Sequence, residues 1–135
     1  MDWIRVTEAC AVAIVAANLS DWFFFGILFQ EKYGEFPEVW RLKVGDKAGE
    51  RKVLLRTALV CALTPLLFVL GCACFNVITF RQLSIAVPGI WAMMVVPHVV
   101  SNYLFMKLHP LIAVSHALGW LTRLVVSGLS VAILM

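Results

Sequence analysis

Four long apolar runs constrain this chain more than any other feature of its sequence. They cover about residues 9–29, 53–75, 84–106 and 111–134, and a helix needs about 20 apolar residues to cross a bilayer. Hydrocarbon offers no partner for free backbone groups, so each crossing must be helical. The runs therefore predict an all-α fold: one transmembrane domain over residues 1–135, built as a four-helix bundle.

The composition excludes an ordinary water-soluble domain. The 135 residues are 62% hydrophobic and 14% charged, whereas soluble domains are about 45–50% apolar and about 25% charged. A chain this short could not bury so much apolar surface in water. We therefore expect the protein to lie in a lipid bilayer, with lipid as a binding partner. The loop predicted at residues 30–52 mixes basic and acidic side chains, so we expect no nucleic-acid binding.

The basic residues predict how the protein is oriented in the membrane. The loop 30–52, with an amphipathic turn near 36–42, holds six Lys or Arg residues, and Arg56 and Lys107 lie on the same side. The opposite side holds Arg5 and Arg81. Because Lys and Arg favour the cytoplasmic side, the sequence predicts a cytoplasmic loop and two non-cytoplasmic termini.

Ionisable and amide side chains inside the runs are the candidates for function, because such groups are costly in a bilayer. At 1.5 Å per residue, Asp21 and His98 lie about 12 Å from the cytoplasmic ends and Arg123 about 17 Å. Within each helix the candidates recur at helical spacing, so they share one stripe. Six residues are candidates for a ligand or proton path: Asn18, Asp21, His98, Asn102, His116 and Arg123.

The simplest packing turns these stripes toward a common axis. Asp21 and Arg123 then form an ion pair, because opposite charges at membrane depth need each other. His98 and His116 would lie beside that pair, and Asn18 and Asn102 would complete its hydrogen bonds. Aromatic side chains near the stripes could form a stacking wall for a flat ligand, or could simply pack. The wall candidates are Trp22, Phe25 and Trp120.

Several functions are compatible with such a polar layer. It could bind or pass a small solute or a proton, and four helices enclose so little volume that we would expect a homo-oligomer for transport. It could instead only fix helix packing, in a structural or accessory subunit beside a partner membrane protein. A membrane enzyme using His98 or His116 as acid or base is a third hypothesis, but no nucleophile–base set accompanies them.

Two histidines and an aspartate could hold a transition metal. No H-E-x-x-H motif occurs, so we predict no metal or cofactor.

Short motifs also resemble a known family. Residues 21–29 read D-W-F-F-F-G-I-L-F and precede Lys32 and Trp40, and G-I-W occurs at 89–91. Later matching positions are Pro97, Asn102, Phe105, Gly119 and Gly128. In these features the chain resembles the bacterial membrane family called domain of unknown function 1761. The resemblance implies four membrane helices in a bacterial inner membrane and no established activity.

Overall fold

The computed structural model describes residues 2–28, 47–106 and 109–135, and these residues are almost entirely helical. The first span is α1 (Trp3–Phe23) with one π-helical turn, Phe24–Leu28. The second span is α2 (Lys47–Phe75). The third span is α3 (Phe80–Ile90), a π-helical turn at Trp91–Val95, and α4 (Val96–Phe105). The fourth span is α5 (Pro110–Leu134). The amphipathic turn predicted near 36–42 lies outside the described residues.

All four spans are long and apolar enough to cross a membrane. Large apolar side chains are exposed on every one of them, which is the surface that lipid requires. The prediction of an all-α, four-helix bundle is confirmed, and the protein is a multi-pass membrane protein.

Three helix starts differ from those predicted, and in each the polar residues before the apolar run are helical. The first helix begins at Trp3 rather than near residue 9, and Asp2 caps it by accepting from the Ile4 N–H at 3.0 Å. The second begins at Lys47, so the predicted loop was wrong over 47–52. These residues include Lys, Glu and Arg, which favour helix well beyond an apolar run. The third begins at Phe80 rather than near 84.

The connection between the second and third spans is tightly capped. Asn76 adopts a left-handed backbone (φ 56°), and the Val77 N–H donates to the Cys72 carbonyl at 2.9 Å. This closes α2 with a Schellman-type end. Thr79 and Gln82 then form a capping box, in which the Gln82 N–H donates to Thr79 Oγ1 at 3.3 Å and the Thr79 N–H donates to Gln82 Oε1 at 3.1 Å. A backbone N–H thus satisfies the end of α2, and two polar side chains satisfy the start of α3.

The π-turn in the third span stands directly before a proline. Pro97 has no N–H, so it cannot continue the ordinary hydrogen-bond ladder. The preceding N–H, that of Val96, donates to the Trp91 carbonyl, one residue further back than in an α-helix. An extra residue in the turn rotates α4 relative to α3.

The fourth span is the centre of the bundle. α5 packs against every other span, and α1 packs also against α2, whereas the third span packs on α5. The buried core joins α1, the C-terminal part of α2, the start of α3 and the end of α5. Residues 51–60 of α2 are all exposed, so α2 joins the bundle only through its second half.

Candidate functional site

An ion pair links the first and fourth spans inside the bundle. Arg123 donates from Nη2 to Asp21 Oδ2, and the two side chains are only 5% and 16% exposed. The predicted pairing of Asp21 with Arg123 is therefore confirmed. The two residues are 102 positions apart in sequence, so the contact is purely tertiary.

Stripes of small residues on both helices allow this burial. On α1, Ala9, Ala13 and Ala17 recur every fourth residue and are buried, and Asp21 is the next residue in the series. On α5, the buried residues at the same spacing are Ser115, Gly119, Arg123 and Ser127. Small side chains let membrane helices approach closely. The pair therefore lies where the two backbones can come near enough to exclude lipid.

Trp120 provides a second contact for the arginine. The guanidinium carbon of Arg123 lies 4.4 Å from the centroid of the Trp120 ring. A cation over an aromatic face is stabilised by about 2 kcal/mol or more when desolvated. Trp120, predicted as a wall for a flat ligand, thus stacks against a side chain of the protein itself.

Phe25 covers the next turn of the α1–α5 interface. A Cβ added to Gly119 would lie 3.0 Å from Phe25 Cζ, so the ring occupies the space that glycine leaves. The Phe25 ring centroid is also 5.2 Å from that of His116, with the rings tilted at 42°. Phe25 and His116 are therefore neighbours, one to two helical turns from the ion pair. Trp22, by contrast, is 64% exposed and faces the lipid, so the three wall candidates do not form one wall.

Three polar atoms of the ion pair are buried and unsatisfied. Among residues 2–28, 47–106 and 109–135, Asp21 Oδ1 and the Nε and Nη1 atoms of Arg123 have no hydrogen-bond partner. An unsatisfied buried donor or acceptor costs about 1–3 kcal/mol, and more when it is charged. Two guanidinium nitrogens, which carry three N–H donors, and one carboxylate oxygen are thus open at one place in the bundle.

The nearby amide and hydroxyls do not fill these positions. Asn18 Nδ2 donates to the Ile14 carbonyl at 2.9 Å, and Ser127 Oγ donates to the Arg123 carbonyl at 2.8 Å. The prediction that Asn18 completes the hydrogen bonds of the pair was wrong. Short polar side chains in a helix readily bond a carbonyl of their own preceding turn, which is what both residues do here.

His98 and Asn102 lie away from the ion pair. They contact each other, with 3.1 Å between Asn102 Nδ2 and His98 Nε2, and His98 is exposed. The prediction that the third span turns this stripe toward a common axis with Asp21 and Arg123 was wrong. The face of α4 toward α5 is apolar instead, because Val96, Val100 and other large side chains line a groove there. Spacing showed that the polar residues share a stripe, but not the direction in which that stripe points.

Two grooves separate the third span from α5. One, of about 380 Å³, is lined by Trp91, Tyr103 and aliphatic residues, and the Trp91 Nε1–H donates to the Ala117 carbonyl at 2.8 Å. The other, of about 310 Å³, lies near Val87 and Gly128. Neither groove is lined by any of the six predicted site residues, so both are apolar features separate from the ion pair.

One structural finding bears on a metal site, and comparisons with known proteins bear on a family. Within the described residues, no group of three or more His, Cys, Asp or Glu side chains could hold a metal ion. Searches against protein-family models, curated proteins and solved structures found no match. The resemblance to domain of unknown function 1761 stays a prediction.

Sequence reasoning missed the alanine series on α1. Ala9, Ala13 and Ala17 stand at i, i+4 and i+8, a pattern typical of close helix packing. Asp21 continues the same spacing, which was the available signal that its helix face is buried against another helix. Alanine is frequent elsewhere in this run, so the periodicity is easy to overlook.

Proposed function

We propose that the protein binds or passes a small polar species, with protons the first choice, at the Asp21–Arg123 pair. The observation that carries this proposal is the set of open polar atoms: two guanidinium nitrogens and one carboxylate oxygen, all buried. Such groups are rarely left without water or ligand in a protein interior. A species that both donates and accepts hydrogen bonds, such as water, would satisfy them.

The chemistry of the two residues favours proton exchange at Asp21. Arginine keeps its charge in proteins, whereas a carboxylate can take up a proton and then donate it. Arg123 would hold the site positive while Asp21 changes its protonation state. His116, near Phe25 on the same helix interface, is the next titratable side chain on α5. A path would thus run along the α1–α5 contact.

Close packing argues for a species of small size. Ala13, Ala17 and Ser127 are buried with almost no exposed surface, and the Phe25 ring lies directly on Gly119. A solute much larger than water would require the helices to separate. This is why a proton or water fits the interface better than a bulky substrate.

A structural role is the second candidate, and a specific observation favours it. The same ion pair lies within two small-residue stripes, and Trp120 stacks on its arginine, as expected of a device that fixes helix packing. In that case the protein would be a structural or accessory subunit. A membrane enzyme using His98 or His116 is the least favoured candidate, because the sequence holds no recognisable nucleophile–base motif around them.

A flux experiment separates the two candidates. Wild type, Asp21→Asn, Arg123→Gln and the double variant would be reconstituted into liposomes that hold a pH-sensitive dye, and proton flux would be driven by a pH gradient. The same variants would be melted in detergent. Ser130→Ala is the matched control, because Ser130 is a buried hydroxyl of α5 that bonds only the Val126 carbonyl, at 2.9 Å.

The proposal expects proton flux above that of protein-free liposomes in wild type and in Ser130→Ala. It expects Asp21→Asn to abolish the flux while helicity is retained. If wild type carries no flux and the double variant regains the stability lost by the single variants, the transport proposal is refuted and the structural role stands.

Location and orientation belong to the same proposal. The excess of Lys and Arg on the side of Arg51, Lys52 and Arg56 supports a cytoplasmic position for that side, with both termini outside. The family resemblance supports a bacterial inner membrane.

A further inference from the structure

The third span carries polar side chains on the face that points away from the rest of the bundle. Successive residues of an α-helix are about 100° apart. Val96, Val100 and Tyr103 line the groove toward α5. His98 and Ser101 therefore point to the opposite side, and both are exposed. Asn102 joins them through its contact with His98 Nε2, at 3.1 Å.

The outward face consists of His98 and Ser101, with the half-buried Asn102 at its edge, and His98 is the deepest of the three in the hydrocarbon. Phe80–Phe105 is one candidate span of 26 residues. His98 lies about 10 Å from its end at Phe105 by helical rise. With a hydrocarbon core of about 30 Å centred on the span, the imidazole is several ångströms inside it. Polar side chains at such depth normally face protein or a water-filled cavity rather than lipid.

We infer that a second copy of this chain packs on the outward face. Imidazole and carboxamide groups each donate and accept hydrogen bonds, and so does the Ser101 hydroxyl, so the face is complementary to itself. Copies of one membrane protein share one orientation, so a two-fold axis between them runs along the membrane normal. That axis keeps each residue at the same depth as its copy, and the two outward faces meet as an isologous interface, in which residue i contacts residue j and j contacts i.

Other features of the described residues are less suited to binding a second copy. The ion pair is internal, and the two grooves are lined by apolar residues that α5 already partly covers. The exposed half of α2, residues 51–60, combines Leu and Val with basic residues near its end, which lipid tails and headgroups satisfy. On α5, His116 is also exposed at membrane depth, but its ring packs against Phe25 of the first span. On the outward face, His98 contacts Asn102 of its own helix, and Ser101 is exposed. A dimer on this face is independent of any proton path.

The mass of the protein–detergent complex and cysteine cross-linking test this inference. His98→Phe with Asn102→Leu replaces the polar pair by side chains that lipid accepts. We expect wild type to be a dimer by light scattering in mild detergent and the double variant to be a helical monomer with an unchanged melting temperature.

Cross-linking keeps the test decisive if the double variant folds poorly. Ser101→Cys and, as a control, Leu55→Cys would be oxidised in native-like vesicles, in a background with Cys61→Ala and Cys74→Ser. Leu55 is exposed on α2 and lies at a similar distance from the same membrane side. We expect a dimer band at least roughly ten times stronger for Ser101→Cys, which corresponds to about 1.4 kcal/mol of preference.

Three outcomes would overturn the inference. They are a wild type that is monomeric in vesicles, a dimer that survives in His98→Phe with Asn102→Leu, or equal cross-linking of the two cysteine variants. Cross-linking of Ser101→Cys to a different membrane protein, with none to itself, would also overturn the choice of a second copy.

Discussion

The contacts that α5 makes with α1 differ in kind from those that it makes with the third span. Against α1 it presents small residues and Arg123, and the contact is close, buried and electrostatic. Against the third span it leaves apolar grooves and accepts a cross-span hydrogen bond, from Trp91 to the Ala117 carbonyl. Apolar contact alone gives little net attraction between helices in lipid, because lipid tails are equally apolar. The α1 side thus combines close backbones with a charge pair. The third span meets α5 closely at Gly128, where an added Cβ would lie 3.2 Å from Val87 Cγ2, but without a charge pair among the described residues.

The largest effect should come from removing one charge of the ion pair. Asp21→Leu leaves Arg123 charged and unpaired, which should lower the free energy of unfolding by about 3–5 kcal/mol. Arg123→Leu should cost less, because an unpaired carboxylate can become neutral by taking a proton and a guanidinium cannot lose one. Unfolding in mixed detergents, followed by circular dichroism, measures both. Equal losses, or the reverse order, would contradict this account of the α1–α5 contact.

Substitutions of two glycines, one on each side of this comparison, should give an effect of intermediate size. Gly119→Ala places a methyl group 3.0 Å from Phe25 Cζ and should cost about 1–3 kcal/mol by overpacking. Gly89→Ala, in the third span, meets nothing within 4 Å and should cost nothing. The same unfolding assay applies. Adding Phe25→Leu to Gly119→Ala should restore most of the loss; if it does not, the Phe25 contact is not the cause.

The smallest effect should come from the third span. Trp91→Phe removes the hydrogen bond to the Ala117 carbonyl but keeps an aromatic ring in the groove. Interhelical hydrogen bonds in membrane proteins contribute on average about 0.6 kcal/mol. We therefore expect a change of that order in the free energy of unfolding. A loss as large as that of Asp21→Leu would erase the distinction between the two sides of α5.

The sequence could predict the features that the lipid bilayer imposes on the chain. Apolar runs fixed the number of spans because only helices of that length satisfy a bilayer, and the Asp21–Arg123 pair followed because opposite charges at depth must meet. The helix starts at Trp3 and Lys47 were missed because capping and helix propensity act outside the apolar run.

The direction of the third span could not be read from spacing. Periodicity groups His98 with Asn102, but the face that meets α5 depends on the neighbour and on a π-turn before Pro97 that changes the helical phase. Asn18 was misassigned for a different reason: its side chain donates to the Ile14 carbonyl of its own helix. Residue spacing does not determine which helix face packs against a neighbour, or which of several hydrogen-bond partners a side chain takes.

The sequence separation of the ion pair has a consequence for biosynthesis. Asp21 enters the membrane with the first span, and its partner Arg123 follows 102 residues later, in the fourth. At about 5–20 residues per second, the carboxyl group waits roughly 5–20 seconds before its partner exists. During that interval the nascent chain must shelter Asp21 by protonation, by water or by the insertion machinery. The fourth span therefore supplies the partner that the first span needs.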